Sequence, residues 1–220
     1  MLPGRGHAEQ VFVNGAAGRI QTVIDEASTQ PPRGIALVAH PHPLYGGALD
    51  NKVAQTLART FSELGYVALR PNFRGVGESE GTHDKGEGET EDMMAVLDYA
   101  RERYGELPVV LAGFSFGAFV QTRVARRLAE RGTPPERLVL VAVAVGRIQA
   151  ESGADRSYDT AGVPANTLLI HGDADETVPL ANVQAWAQPQ NIPVHIVPGS
   201  DHFFHRRLGD IKSIIKDQWH

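Results

Sequence analysis

Val109-Val110-Leu111-Ala112-Gly113-Phe114-Ser115-Phe116-Gly117 runs from an unbroken apolar stretch into a serine flanked by two glycines. The apolar part has the length of a strand buried on both faces of a parallel sheet. The residues beyond the serine read as a helix, because Val120, Val124 and Leu128 recur on one face from a start near Ser115. Serine is a weak nucleophile at neutral pH, and a reactive one needs exposure, a base and donors for developing negative charge. A tight strand-to-helix turn exposes the side chain, and glycines two residues to either side let helix and strand approach. The helix N-terminus adds unpaired N–H groups and the positive end of a dipole. Ser115 is therefore the candidate nucleophile.

The same alternation extends to both sides of this turn. Val11–Val13 and Ile20–Ile24 flank Asn14-Gly15-Ala16-Ala17-Gly18, the pattern of an antiparallel hairpin. Short apolar runs recur at Ile35–Ala39, Tyr66–Leu69, Leu138–Val143, Leu168–Ile170 and Val194–Val197. Between most of them lie helical patterns. Asp50 is the expected cap of a helix carrying Val53, Leu57, Phe61 and Leu64, with Gly65 ending it. Met93, Val96, Leu97 and Ala100 form the stripe of a second, behind acidic residues that suit a helix N-terminus. Leu208, Ile211, Ile214, Ile215 and Trp219 mark the last helix. The expectation is an α/β fold: eight strands in a mostly parallel sheet, an N-terminal antiparallel hairpin, and helices on both faces. In such sheets chemistry collects at the carboxyl ends of the strands.

Composition narrows the chemistry. The chain has 220 residues, the length of one domain, and we expect a single domain over 1–220. With no cysteine it has no disulfide, cysteine–zinc site, iron–sulfur cluster or thiol nucleophile. A formal net charge of −5 offers phosphate no basic face, so nucleic acid is not an expected partner. Met1–Gln10 is polar and lacks the apolar centre of a signal peptide, and the longest apolar stretch, Leu138–Gly146, is far below the ~20 residues that span a bilayer. The expected setting is the cytoplasm, away from membranes. Oligomeric state leaves no readable mark.

Two further loops carry candidate groups. His171-Gly172-Asp173-Ala174-Asp175-Glu176 comes directly after the run Leu168–Ile170. A carboxylate there could hold an imidazole in one tautomer and stabilise its protonated form. Asp173, Asp175 and Glu176 all remain open on loop residues alone, with Asp175 preferred. Gly199-Ser200-Asp201-His202-Phe203-Phe204-His205 comes after Val194–Val197. His202 is the candidate general base, and His205 competes with it. Ser115, Asp175 and His202 stand beyond three different strands, in the order serine, acid, histidine.

On these residues the chain resembles the α/β-hydrolases, in particular small, lid-poor bacterial hydrolases related to dienelactone hydrolases and short-chain carboxylesterases. The resemblance extends to His40-Pro41-His42-Pro43 with Gly46-Gly47, to Asn51-Lys52, and to Arg70-Pro71-Asn72-Phe73-Arg74-Gly75-Val76-Gly77-Glu78-Ser79. It implies that Asp175 is the triad acid and His202 the base. It also implies an oxyanion hole of two backbone N–H groups, one from Phe116 and one from the loop after Ile35–Ala39. Pro41 and Pro43 have no N–H, which leaves His42 or Leu44; His42 is preferred because it stands two residues after the strand-ending histidine. Dienelactone hydrolases proper carry cysteine where this chain has Ser115, a departure that bears on whether their substrate carries over.

The implied function is a serine hydrolase, a carboxylesterase cleaving small or medium esters through an acyl-enzyme, with no cofactor and a small-molecule ester as its partner. A thioesterase or peptidase with the same triad, and a binding module on the same fold, are the alternatives. Leu44, Tyr45, Phe114 and Phe203 are candidate pocket residues, since aromatic side chains cluster in the motif loops; core packing is the competing role for such residues. Metal is not expected: His40-Pro41-His42 is a His-x-His pair, but no acid and third histidine stand beyond it at short spacing. Gly75-Val76-Gly77 fits no phosphate-loop spacing. Only Val145–Ala165 separates two successive strands where lids are commonly inserted, which excludes a lid of several helices and leaves Gly153–Tyr158 for a short flap. The pocket is then open to water, which favours hydrolysis over acyl transfer.

Overall fold

A computed structural model describes residues 8–149 and 155–219. Residues 1–7 of the polar N-terminal stretch, and Gly153 and Ala154 of the short flap, lie outside it. The chain runs β1 (Ala8–Gly15), β2 (Gly18–Asp25), β3 (Gly34–Ala39), α1 (Lys52–Glu63), β4 (Tyr66–Pro71), α2 (Glu87–Tyr104), β5 (Val109–Phe114) and α3 (Phe116–Glu130). It continues with β6 (Arg137–Val141), β7 (Gly146–Ile148), β8 (Arg156–Tyr158), β9 (Leu168–Gly172), α4 (Leu180–Ala187), β10 (Val194–Val197) and α5 (Leu208–Asp217). Eight strands form one sheet in the order β1-β2-β4-β3-β5-β6-β9-β10. β1 pairs antiparallel with β2 and β2 with β4, and every other ladder of this sheet is parallel. The α/β-hydrolase arrangement expected from the sequence is present.

Side-chain alternation along the central strands builds two cores. Ile35 and Leu37 of β3 point to one face with Leu111 of β5, where Met93, Val96 and Leu97 of α2 and Val120, Val124 and Leu128 of α3 cover them. Ala36 and Val38 point to the other with Val110 and Ala112, under Val53, Leu57 and Phe61 of α1 and Ile211 and Ile215 of α5. Burying each large aliphatic side chain there is worth roughly 1.5–3 kcal/mol. The order of strands reverses at β3, which has β4 on one side and β5 on the other. A crevice therefore opens beyond the carboxyl ends of β3 and β5, where such sheets place their ligands.

Several local expectations shift. Asn51, not Asp50, caps α1: its side-chain oxygen accepts from Val53 N at 2.9 Å and Ala54 N at 3.3 Å. β6 stops at Val141 because Ala142 turns the chain with φ +45°. α5 ends before Trp219, whose ring packs edge-on against Phe61 at 5.1 Å between centroids. Helix α4 and the ribbon of β7 and β8 are elements beyond those expected. Among the described residues no helix is long and apolar enough to cross a membrane.

Candidate active site

Ser115 sits between β5 and α3 with φ +55°, in the left-handed region that side chains with a Cβ avoid. As the N-cap of α3 it would ordinarily bond back to the helix, yet its side chain makes no capping bond. The strained backbone swings Oγ out of the helix axis and leaves the first-turn N–H groups unclaimed. The flanking glycines make the turn possible. A Cβ on Gly117 would lie 2.4 Å from the carbonyl oxygens of Ala39 and His40, and one on Gly113 would lie 2.6 Å from Ala118 N. Helix α3 can therefore press its start against the end of β3 only with glycine at 117.

His202 and Asp175 arrive from the ends of β10 and β9. Ser115 Oγ lies 3.1 Å from His202 Nε2, and His202 Nδ1 lies 2.7 Å from Asp175 Oδ2. The tautomer that satisfies both contacts carries its proton on Nδ1, donates to the carboxylate, and accepts from the serine hydroxyl. Asp175 Oδ1 accepts from Thr177 N at 2.9 Å and Val178 N at 2.8 Å, so both carboxylate oxygens are held. All three residues are buried. The alternatives fall elsewhere: Asp173 accepts from Gly199 N, Glu176 is exposed, and His205 pairs with Asp201 on the surface. A second histidine, missed as a neighbour of the acid, lies beneath. His171 Nε2 donates to Val178 O at 3.0 Å and sits 3.4 Å from Asp175 Oδ2, and burial pushes its imidazole below the usual range.

The loop after β3 is built from its histidines. His40 is buried, accepts from Phe73 N on Nε2 at 2.9 Å, and places Nδ1 2.7 Å from Pro41 O; burial lowers its pKa to about 4. It is a structural crosslink. His42 Nδ1 accepts from Leu44 N at 3.2 Å, and the His42 carbonyl accepts from Tyr45 N and Gly47 N. The Leu44 N–H, one of the two donors considered for this loop, is thus engaged within the loop itself. Burial, with His83 and Arg156 nearby, lowers the His42 imidazole to about 3. Its ring packs against Phe116 and His83, both at 4.8 Å between centroids. His83 lies 2.9 Å from the fully buried Glu89, which also accepts from Asp84 N and Gly86 N.

A cavity of about 460 Å³ opens onto Ser115 and His202. Tyr45 and Phe203 line it, whereas Leu44 points out at 69% exposure and Phe114 is buried in the core beneath the His202 ring. Phe114 is thus a packing residue. Three polar lining residues were not anticipated: Gln149, Arg156 and Thr177. Arg156 and Gln149 come with the β7–β8 ribbon, which occupies the lid position. The ribbon is pinned, since Asn182 of α4 donates to Val145 O at 3.2 Å and Arg147 O at 2.9 Å, and Tyr158 packs on Phe119.

Comparison with known proteins identifies the family. Residues 30–154 match the family model described as "Serine aminopeptidase, S33". An uncharacterized protein of Rickettsia prowazekii, RP471, is 34% identical over 216 residues, 94% of this chain and 87% of that one. XC6422 of Xanthomonas campestris, an α/β serine hydrolase without a lid, superposes with a TM-score of 0.82 at 33% identity, covering 96% of this chain and 93% of that one. The zebrafish (Danio rerio) lysophosphatidylserine lipase ABHD12 is 35% identical over 115 residues, 52% of this chain but 29% of its own length. With the sheet, the serine turn and these relatives together, the chain belongs to the α/β-hydrolase family, among its small, lid-poor members.

Proposed function

We propose that the protein is a serine hydrolase acting as a carboxylesterase on small or medium esters. Ser115 Oγ attacks the ester carbonyl as His202 Nε2 takes its proton, and Asp175 stabilises the imidazolium. The N–H groups of Phe116 and His42 receive the oxyanion, each such donor being worth about 3 kcal/mol in the transition state. Collapse breaks the C–O bond, and the departing alcohol takes the proton from His202. Water, deprotonated by the same nitrogen, then cleaves the acyl-Ser115 ester and restores the hydroxyl. None of these steps calls for a cofactor. The observation that carries the reading is the hydrogen-bonded chain from Ser115 through His202 to a doubly anchored, buried Asp175.

The test needs no guess at the substrate. A fluorophosphonate probe should form one adduct, on Ser115, and the adduct should disappear in His202→Ala. Ser115→Ala should fold normally and lose hydrolysis of a 4-nitrophenyl ester panel. Folded protein that takes up no probe and cleaves none of the panel would sink the reading and favour a binding module. The aminopeptidase description of the matching family model supports a second reading, amide cleavage with the same residues. Matched ester, thioester and amide substrates of one acyl group separate the two.

A further inference from the structure

The cavity holds a cation that the chemistry of Ser115 does not use. Arg156, on β8, lines it beside Ser115 and His202. Its guanidinium lies over the Tyr45 ring, 4.2 Å from the centroid. One face of the fork is thereby covered and its orientation fixed, which leaves the N–H edges to make its hydrogen bonds. Only a long contact of 3.4 Å, from Nη1 to the Tyr158 hydroxyl, engages those edges. Nε is buried and, among the described residues, has no hydrogen-bond partner. A guanidinium with so few partners in the protein can take up an anionic ligand without first losing an ion pair.

The contrast with other arginines of this chain is direct. Arg70 is paired with Asp25, Arg74 with Asp92, Arg123 with Glu87 and Arg127 with Glu91. Among the described residues no carboxylate comes within 4.0 Å of Arg156. Glu176 shares the cavity wall but is exposed, where water and salt screen its charge. Among the described residues that line the cavity, Arg156 is the one lysine or arginine. Its fork suits two oxygens of a carboxylate or phosphate better than any neutral group.

We propose that Arg156 binds an anionic group of the substrate, so that the preferred esters carry a carboxylate or a phosphate. This rests on the esterase reading and names its substrate class. Two ester pairs locate the charge. The mono-4-nitrophenyl ester of adipic acid against 4-nitrophenyl hexanoate puts it on the acyl half. 1-Butyryl-glycerol 3-phosphate against 1-butyrylglycerol puts it on the alcohol half. For at least one pair, kcat/KM should favour the anionic member by roughly ten- to a hundred-fold, mostly through KM. Arg156→Gln should collapse that ratio, and Arg156→Lys should restore part of it, which loss of the Tyr45 stack alone would not reproduce. No preference in either pair, or a preference that survives Arg156→Gln, overturns the proposal. If Ser115 takes no probe and no ester turns over, the esterase reading fails on its own. Calorimetric titration of adipate and inorganic phosphate then decides: binding lost in Arg156→Gln supports the anion site, and no binding by the native protein overturns it.

Discussion

Two carboxylate–histidine pairs stand within a few residues of each other and differ in almost everything except chemistry. His202 meets Asp175 at 2.7 Å with both side chains buried. His205 meets Asp201 at 2.5 Å, with side chains 73% and 46% exposed. The shorter contact is the lesser one. In water the Coulomb energy of such a pair is small and screened, and exposed pairs typically contribute about 0–1 kcal/mol. Around Asp175 the backbone N–H groups of Thr177 and Val178 hold the carboxylate before any imidazole arrives. That pre-orientation, with both side chains buried, is what the proposed stabilisation of a charge on the neighbouring ring requires. The hydrogen bond from His205 lowers the Asp201 pKa, and Asp201 Oδ1 also accepts from His205 N at 3.0 Å, but the pair stays on the surface.

The comparison breaks most sharply at the acid. Asp175→Asn should keep the fold and cut esterase kcat by roughly 10⁴-fold, because the amide favours the wrong tautomer of His202. Asp201→Asn should change kcat less than about two-fold, a contrast that steady-state kinetics on one ester resolves. Equal effects would show that burial does not separate the pairs.

A buried histidine without a carboxylate gives the next largest effect. His40 has a folded pKa of about 4 against an ordinary 6.5, since burial disfavours its cation. Below pH 6.5 the unfolded chain takes up a proton that the folded chain refuses, so stability falls as pH drops from about 6.5 to about 4. The full loss is about 3 kcal/mol. Urea unfolding at about pH 6.5 and about pH 4.5 should show a shallower decline in His40→Asn; parallel declines would remove His40 from the account.

The smallest effect sharpens the surface side. His205→Ala should shift stability by less than about 0.5 kcal/mol, and salt at about 1 M should erase even that. The cap at Asn51 offers a yardstick between these extremes: Asn51→Ala should cost about 1 kcal/mol in thermal unfolding.

Legibility in the sequence divides along the same line, between local and distant causes. The serine turn, the hairpin and all eight strands of the sheet were readable because each is written in adjacent residues: glycines beside Ser115, Asn14-Gly15, runs of β-branched side chains. The β7–β8 ribbon was not, since strands of three residues are too short to show a period. Arg156 was invisible for that reason, as its position against Tyr45 is fixed by the ribbon and not by its neighbours in sequence. Helix α4 did leave a signal in Leu180, Val183 and Ala187 after Pro179, spaced for one face of a helix. Glu89 read as one more acidic residue near a helix start; its complete burial against Asp84 N and Gly86 N depends on how α2 docks.

The pinned ribbon at the mouth of the site has a kinetic meaning. A lipase with a mobile lid waits for an oil–water interface to hold it open, and its rate jumps when the substrate aggregates. Here Asn182 and Tyr158 tie down the described ends of the corresponding segment, which leaves an interface little to open. Hydrolysis should therefore rise along one smooth hyperbola as substrate passes its critical micelle concentration. Dissolved single molecules, not droplets, would set its pace.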